Sequence, residues 1–176
     1  MAFDTKGSDP FMLREVDPRE FRDTLGTFPT GVAVVTAVGP DGPAGLTTNA
    51  FSSLSLDPPL IIVCFDRGSR TLDVVRQAGR FAVNVLRAGD EDLAAVFAGK
   101  MPHPEKFAAV THSADHGVPV LDAALAWLVC DLEALHSGGD HEIGVGAVTA
   151  LGHDPAGEPL VFSGGRYRTL APPTAP

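Results

Sequence analysis

Between Gly45 and Arg70 the chain sets Thr47, Thr48, Asn49, Ser52, Ser53 and Ser55 just ahead of Asp57-Pro58-Pro59 and an apolar run. Side chains this small leave backbone N–H groups open and add hydroxyl and amide donors, so a flat ligand with a polar edge can lie against them. Beyond the apolar run, Asp66-Arg67-Gly68-Ser69-Arg70-Thr71 combines cations, hydroxyls and a helix start, which suits an anionic phosphate. One segment thus offers surfaces to a planar and to a phosphorylated end of a ligand. The same residues also read as a Ser/Thr-rich strand edge followed by a solvated turn.

Other reactive constellations are weak. His112 and His116 have the spacing of two metal ligands on one helical face, yet Ser113, Asp115, Gly117 and Pro119 make that segment a poor helix, and no His-Glu-x-x-His pattern exists. No metal is expected. Cys64 and Cys130 stand alone in apolar stretches and read as buried structural thiols, in keeping with a reducing cytosol. There is no Gly-x-Ser-x-Gly elbow and no Gly-x-x-x-x-Gly-Lys loop.

The elements around these residues follow from pattern. Residues 1–13 read as a flexible arm. Asp17-Pro18-Arg19-Glu20 reads as a helix start, with Asp17 capping, Pro18 in the first turn and Glu20 bonding back; Phe21 and Leu25 share a face, and the helix ends near Gly26 and Pro29. Strands are expected over 31–38, 45–56, 60–65 and 81–86, with short helices over 71–78 and from Asp90 to Phe97. Residues 99–119 read as a long loop, 126–137 and 142–151 as β-rich, and 159–170 as a last strand. Six or seven strands in neighbouring runs, with three short helices, argue for an antiparallel barrel rather than a doubly wound sheet. No Gly-x-Gly-x-x-Gly follows a strand and opens a helix, so a nicotinamide cofactor has to bind without a Rossmann site.

Composition sets the outer bounds. The 176 residues are 44% hydrophobic and 20% charged, as in a globular chain able to bury a core. Thirteen basic against 22 acidic residues give a net charge of −9, which argues against nucleic acid as a partner. No apolar run is long enough to cross a bilayer and no signal peptide opens the chain, so the expected location is cytoplasmic, with no membrane partner. The expected organisation is one domain over 14–170, with a tail at 171–176.

Five segments together carry a resemblance. Phe28-Pro29-Thr30-Gly31-Val32-Ala33-Val34-Val35-Thr36, the 45–70 stretch, Phe81-Ala82-Val83-Asn84-Val85-Leu86, Gly139-Asp140-His141-Glu142-Ile143 and Gly165-Arg166-Tyr167-Arg168 stand in the order seen in the short-chain flavin reductases. These are the small reductase components of two-component flavin-dependent monooxygenases. The chain resembles them over roughly residues 14 to 170. The resemblance implies a mainly β, antiparallel Greek-key split barrel that binds flavin and forms a homodimer. It implies that NADH or NADPH reduces FAD or FMN, and that the reduced flavin leaves for a partner monooxygenase. Rival readings are a split-barrel oxidoreductase that retains its FMN and a flavin-binding sensor or carrier without turnover.

Hydride transfer between two stacked rings needs positioning and an electrostatic partner for the flavin's pyrimidine edge, so no catalytic acid or base is expected. By the resemblance, Pro29, Thr30, Thr47, Thr48, Asn49 and Ala50 line the ring, with Ser53 in the same hydroxyl row. Cys64, Asp66, Arg67, Ser69 and Thr71 then hold the ribityl and phosphate portion. Asn49 either bonds the flavin or caps a turn. Arg67, ahead of Arg70, either meets phosphate or solvates a turn. Lys106 and Phe107 either close over the cofactor or are a solvated Lys beside an anchoring Phe. His141, after a Gly138-Gly139-Asp140 turn, either bonds the nicotinamide amide or a pyrophosphate, or is a surface His beside an Asp; Tyr167 would share its strand mouth. Phe11, Leu13, Phe21, Leu25 and Phe28 supply apolar surface for the dimer.

Overall fold

The structure, a computed structural model, describes residues 16–171. The 1–13 arm, with Phe11 and Leu13, and residues 172–176 of the tail lie outside the described residues. Helix α1 (Pro18–Gly26) begins where the Asp17 carboxylate accepts the backbone N–H groups of Arg19 and Glu20 at 2.8 and 3.0 Å. Glu20 therefore joins the cap through its backbone and not, as expected, through its carboxylate. None of the residues of α1 is buried.

The chain continues through β1 (Thr30–Gly31), β2 (Ala33–Gly39), β3 (Gly42–Thr48), β4 (Phe51–Leu56) and β5 (Pro59–Asp66). Next come α2 (Arg70–Ala78), β6 (Arg80–Val85), α3 (Glu91–Ala98) and α4 (His103–Phe107). It ends with β7 (His112–Ser113), β8 (Val120–Leu121), β9 (Ala126–Gly138), β10 (His141–His153), β11 (Val161–Ser163) and β12 (Arg166–Arg168). Seven strands pair antiparallel in the order β3-β2-β6-β9-β10-β5-β4.

That order requires a barrel. β3 and β4 hold opposite edges of the sheet, yet only Asn49 and Ala50 separate them in the chain. Six inter-strand gaps would place the edges of a flat sheet about 29 Å apart. The backbone from Thr48 to Phe51 reaches at most about 11 Å. The sheet must curl until its edges meet, so the Asn49–Ala50 joint is the seam of the barrel wall.

The barrel core contains Val35, Val63, Phe65, Phe81, Val83 and Cys130, with Leu72 and Val75 of α2 packed against it. Phe65 and Phe81 meet edge to face, ring centroids 6.3 Å apart. Burial pushes the Cys130 thiol up to about 12, as expected of an inert structural cysteine. A second cluster, with Val32, Val34, Leu86, Phe97, Phe107 and Leu160, packs α3 and α4 on the barrel. Each fully buried large side chain contributes about 1.5–3 kcal/mol.

Three expected elements differ. The strand expected over 45–56 breaks at Asn49, where the Thr48 hydroxyl accepts the Ala50 N–H at 3.0 Å and so diverts that donor from the ladder. The loop expected over 99–119 contains α4 and β7, which pairs with β8 just beyond it; Phe107 anchors the segment by its burial and Leu121 by its N–H, which bonds the Asn84 side chain at 2.8 Å. The strand expected over 159–170 is a bridge at Pro159 followed by the β11–β12 hairpin, turned by Gly164 and Gly165. Among the described residues there are thus seven long strands, five short ones and four helices.

Candidate functional site

The seam residues line a cleft of about 620 Å³. Its walls include Phe28, Val32, Phe51, Ile62 and Val85, and its polar rim is Thr30, Thr48, Asn49 and Ser52. An apolar slot with a few convergent polar groups is what a planar heteroaromatic ligand requires. The expected Pro29, Thr30, Thr48, Asn49 and Ala50 all line it; Cys64 lines it too, half-buried and not at the phosphate end where it was expected. The Asn49 Nδ2 donates to the Thr30 hydroxyl at 3.1 Å, tying the joint to β1 and leaving Oδ1 as an acceptor. The turn cap at this point is Thr48, not Asn49. Ser53 does not line the cleft; its neighbour Ser52 does.

Thr47 lines an adjoining cavity of about 200 Å³ with Tyr167 and Phe162, and its hydroxyl bonds the Ala94 carbonyl of α3 at 2.7 Å. This cavity shares Thr48 and Asn49 with the cleft, and Ala98 with a further cavity of about 460 Å³. The three spaces therefore adjoin in a row.

The 460 Å³ cavity is basic. Ser69, Arg70, Thr71, Lys100, His103 and Lys106 line it, and no carboxylate does. Ser69 caps α2 by accepting the Thr71 N–H at 3.2 Å. Arg70 is held by the carbonyls of Lys100 and Met101 at 3.1 and 2.9 Å. Lys106 is only 3% exposed, so it is not the solvated residue that was one expectation. Its Nζ donates to the carbonyls of Phe97 and Gly45 at 2.9 and 3.5 Å. Burial, then Arg70, lowers the Lys106 pKa. No ion pair among the described residues involves Lys106 or Arg70. A buried cation with no carboxylate is costly alone and favours an incoming anion. Gly45 lets the Phe97 ring pack flush on β3, because a Cβ there would sit 2.7 Å from that ring.

Several expected residues lie elsewhere. Arg67 bonds the Ser137 hydroxyl, and its backbone N–H reaches the Asp140 carbonyl, so it braces the β9–β10 hairpin outside the basic cavity. Asp66 accepts the Gly68 N–H at 2.6 Å and shapes the turn before α2. Phe107 is core, its ring 5.1 Å from that of Phe97, so it forms no flap.

Beside the cleft lies a cavity of about 720 Å³ that contains His141. The two share Phe28, Thr30, Asn49 and Ala50. Gly139 and Asp140 form the two-residue turn between β9 and β10, with Gly139 at φ +69°, a conformation glycine adopts without strain. That turn places the His141 Nδ1 2.7 Å from the Asp140 carboxylate. Hydrogen bonding by His141, then its charge, lowers the Asp140 pKa. A carboxylate only accepts, so Nδ1 carries the hydrogen and the Nε2 edge is left for a ligand. Tyr167 lies in the 200 Å³ cavity and not beside His141, the two spaces meeting at Asn49 and Phe162.

Sequence reasoning missed Phe162, His103 and the α1 residues Phe21, Arg22 and Leu25, which wall the His141 cavity. The exposed apolar face of α1 was the available signal for the last group. Phe162 carried none, because its place depends on the β11–β12 hairpin.

Comparison with known proteins gives the family and the fold. Residues 25–171 match the flavin reductase like domain. The chain is 39% identical over 164 residues to the reductase subunit HsaB of a flavin-dependent monooxygenase from Mycobacterium tuberculosis, covering 92% of this chain and 87% of that protein. It is 40% identical over 164 residues to an NADH-dependent FAD reductase from Streptomyces globisporus, covering 89% and 90% of the two chains. Among solved structures, the NADH:FAD oxidoreductase SgcE6 of Streptomyces globisporus C-1027 superposes with a TM-score of 0.85 at 39% identity, over 92% of this chain and 99% of that one.

Proposed function

Since the chain belongs to the family of the flavin reductase like domain, we propose that it uses NADH to reduce FAD or FMN and delivers the reduced flavin to a separate monooxygenase. The supporting observation is a group of cavities that share wall residues: a cleft with apolar walls and Asn49 on its rim, the cavity of His141 beside it, and a basic chamber reached through a small cavity lined by Thr47, Asn49 and Ala98. Relatives named as an NADH-dependent FAD reductase and as a monooxygenase reductase subunit support the same reading.

In this reading Pro29, Thr30, Thr48, Asn49 and Ala50 hold the flavin ring, and Ser69, Arg70, Thr71 and Lys106 hold its phosphate. The flavin, when bound, supplies the two-electron acceptor chemistry. The chain's own part is positioning. Asn49, braced by Thr30, presents a fixed amide to the polar ring edge, where it offers a hydrogen bond to developing charge. The apolar walls exclude water. The Nε2 edge of His141, its ring oriented by Asp140, bonds the carboxamide of the nicotinamide. No side chain needs to transfer a proton.

The working unit is a homodimer over a domain of residues 14–170, with α1 supplying interface surface. The compartment is the cytoplasm, which suits the free thiols of Cys64 and Cys130. Anaerobic addition of NADH and excess FAD tests the reading through the flavin's visible band. Bleaching of the excess supports the reductase. Bleaching of one equivalent points to a retained flavin, and none points to a binding protein without turnover.

A further inference from the structure

The basic cavity contains one group with no role so far. His103 opens α4, and both its Nδ1 and Nε2 are shut off from solvent with no hydrogen-bond partner. Facing it are Arg70 of α2, Lys100 after α3 and Lys106 of its own helix. The carboxylate of α4, Glu105, is exposed and does not line the cavity. A ring whose two nitrogens are both buried and unpartnered, in a chamber of cations, lacks an anion.

We propose that His103 is a phosphate-binding residue of this cavity, and that it takes up a proton from solvent when the flavin's phosphate or pyrophosphate enters. Flavin affinity is then coupled to pH, tighter below neutrality and weaker above it. The inference rests on reading the chamber as the flavin phosphate site.

The sign follows from the surroundings. Desolvation, then Arg70, then Lys106, holds the pKa of His103 below the ordinary imidazole value in the free protein. An anion among those cations reverses the balance and raises it. Between the free and bound values, binding takes up a proton, and affinity falls up to about tenfold per pH unit as pH rises. Below the free value and above the bound value the affinity is flat.

FAD is the probe of choice, because its pyrophosphate does not titrate near neutrality, whereas the phosphate of FMN does so at about pH 6. Dissociation constants for FAD and for riboflavin are measured by fluorescence quenching from about pH 5.5 to 8, on the wild-type protein and on His103→Asn. The expected result is a wild-type FAD affinity that weakens severalfold across the range, a flat riboflavin affinity, and a flat FAD affinity in the variant near the wild-type alkaline limit. Riboflavin controls for His141, whose cavity it would share equally. Calorimetry of FAD binding to the wild type in two buffers of different ionisation enthalpy should register proton uptake, absent with riboflavin, even should the variant not fold. A pH slope that survives in His103→Asn, or FAD binding without proton uptake, overturns the role of His103. Equal affinity for FAD and riboflavin at every pH overturns instead the phosphate chamber itself.

Discussion

At the scale of single residues, His141 and Arg70 line different cavities of the site. His141 touches the cleft through shared walls rather than from inside it. His141→Ala should therefore raise the KM for NADH or slow flavin reduction by roughly two- to tenfold, the worth of one hydrogen bond, while flavin still binds. A collapse of flavin affinity with unchanged NADH kinetics would contradict this. Arg70→Ala should weaken FAD and FMN, but not riboflavin, by about 1.5–3 kcal/mol, the worth of a charge-assisted bond. Arg67→Ala should leave all three affinities nearly equal to wild type, because Arg67 bonds Ser137. Selective loss of FAD in the Arg67 variant, with none in the Arg70 variant, would reverse the assignment. Sequence alone preferred Arg67, since it stands first after the strand. Which of two arginines three residues apart turns toward a cavity depends on the α2 start, and there Ser69 caps while Arg70 reaches the Lys100 and Met101 carbonyls.

At the scale of elements, most of the long strands and the first three helices were legible, because their signals are local: the Asp17 cap, β-branched runs, and acids at the head of α3. What stayed hidden depended on partners distant in sequence. α4 is five residues long and exists because Phe107 and Lys106 are buried beneath it. The β7–β8 pair is fixed by Asn84, whose Nδ2 donates to the Val34 carbonyl at 3.0 Å and the Thr36 hydroxyl at 3.1 Å while Oδ1 accepts from Leu121 N. The residues that line the cleft stand out in the sequence as a group, since small polar side chains announce themselves; in the basic chamber Lys106 is legible, but His103 and Lys100 carry no local signal of facing Arg70. Asn84→Ala leaves buried groups of β2 and β8 unpaired and should cost about 1–3 kcal/mol, seen as a lower urea midpoint with an unchanged m-value. A loss under about 0.5 kcal/mol would show that solvent replaces the network.

At the scale of the whole molecule, α1 has an apolar face that its own barrel does not cover. Phe21, Leu25 and Phe28 are 57%, 58% and 71% exposed. Light scattering at micromolar concentration should give twice the 18.3 kDa chain mass, with an interface above the ~1,000 Å² of specific contacts. A fully active species at the single-chain mass would rule the dimer out as the working unit.

The seam also dictates an order of assembly. The β2–β3, β4–β5 and β9–β10 hairpins each join strands adjacent in sequence and can form early. The Asn49–Ala50 joint merely links the first two, and it stays a hinge between two loose hairpins until β6, β9 and β10 insert between their far strands. Those pairings span long loops and are slow to find. The ligand-binding geometry is then among the last features of the fold to mature. In stopped-flow refolding, quenching of added FAD should lag behind the far-ultraviolet β signal and follow the slowest barrel-closing phase. Quenching that rises with the earliest β signal would mean that the joint is shaped locally, before the wall is complete.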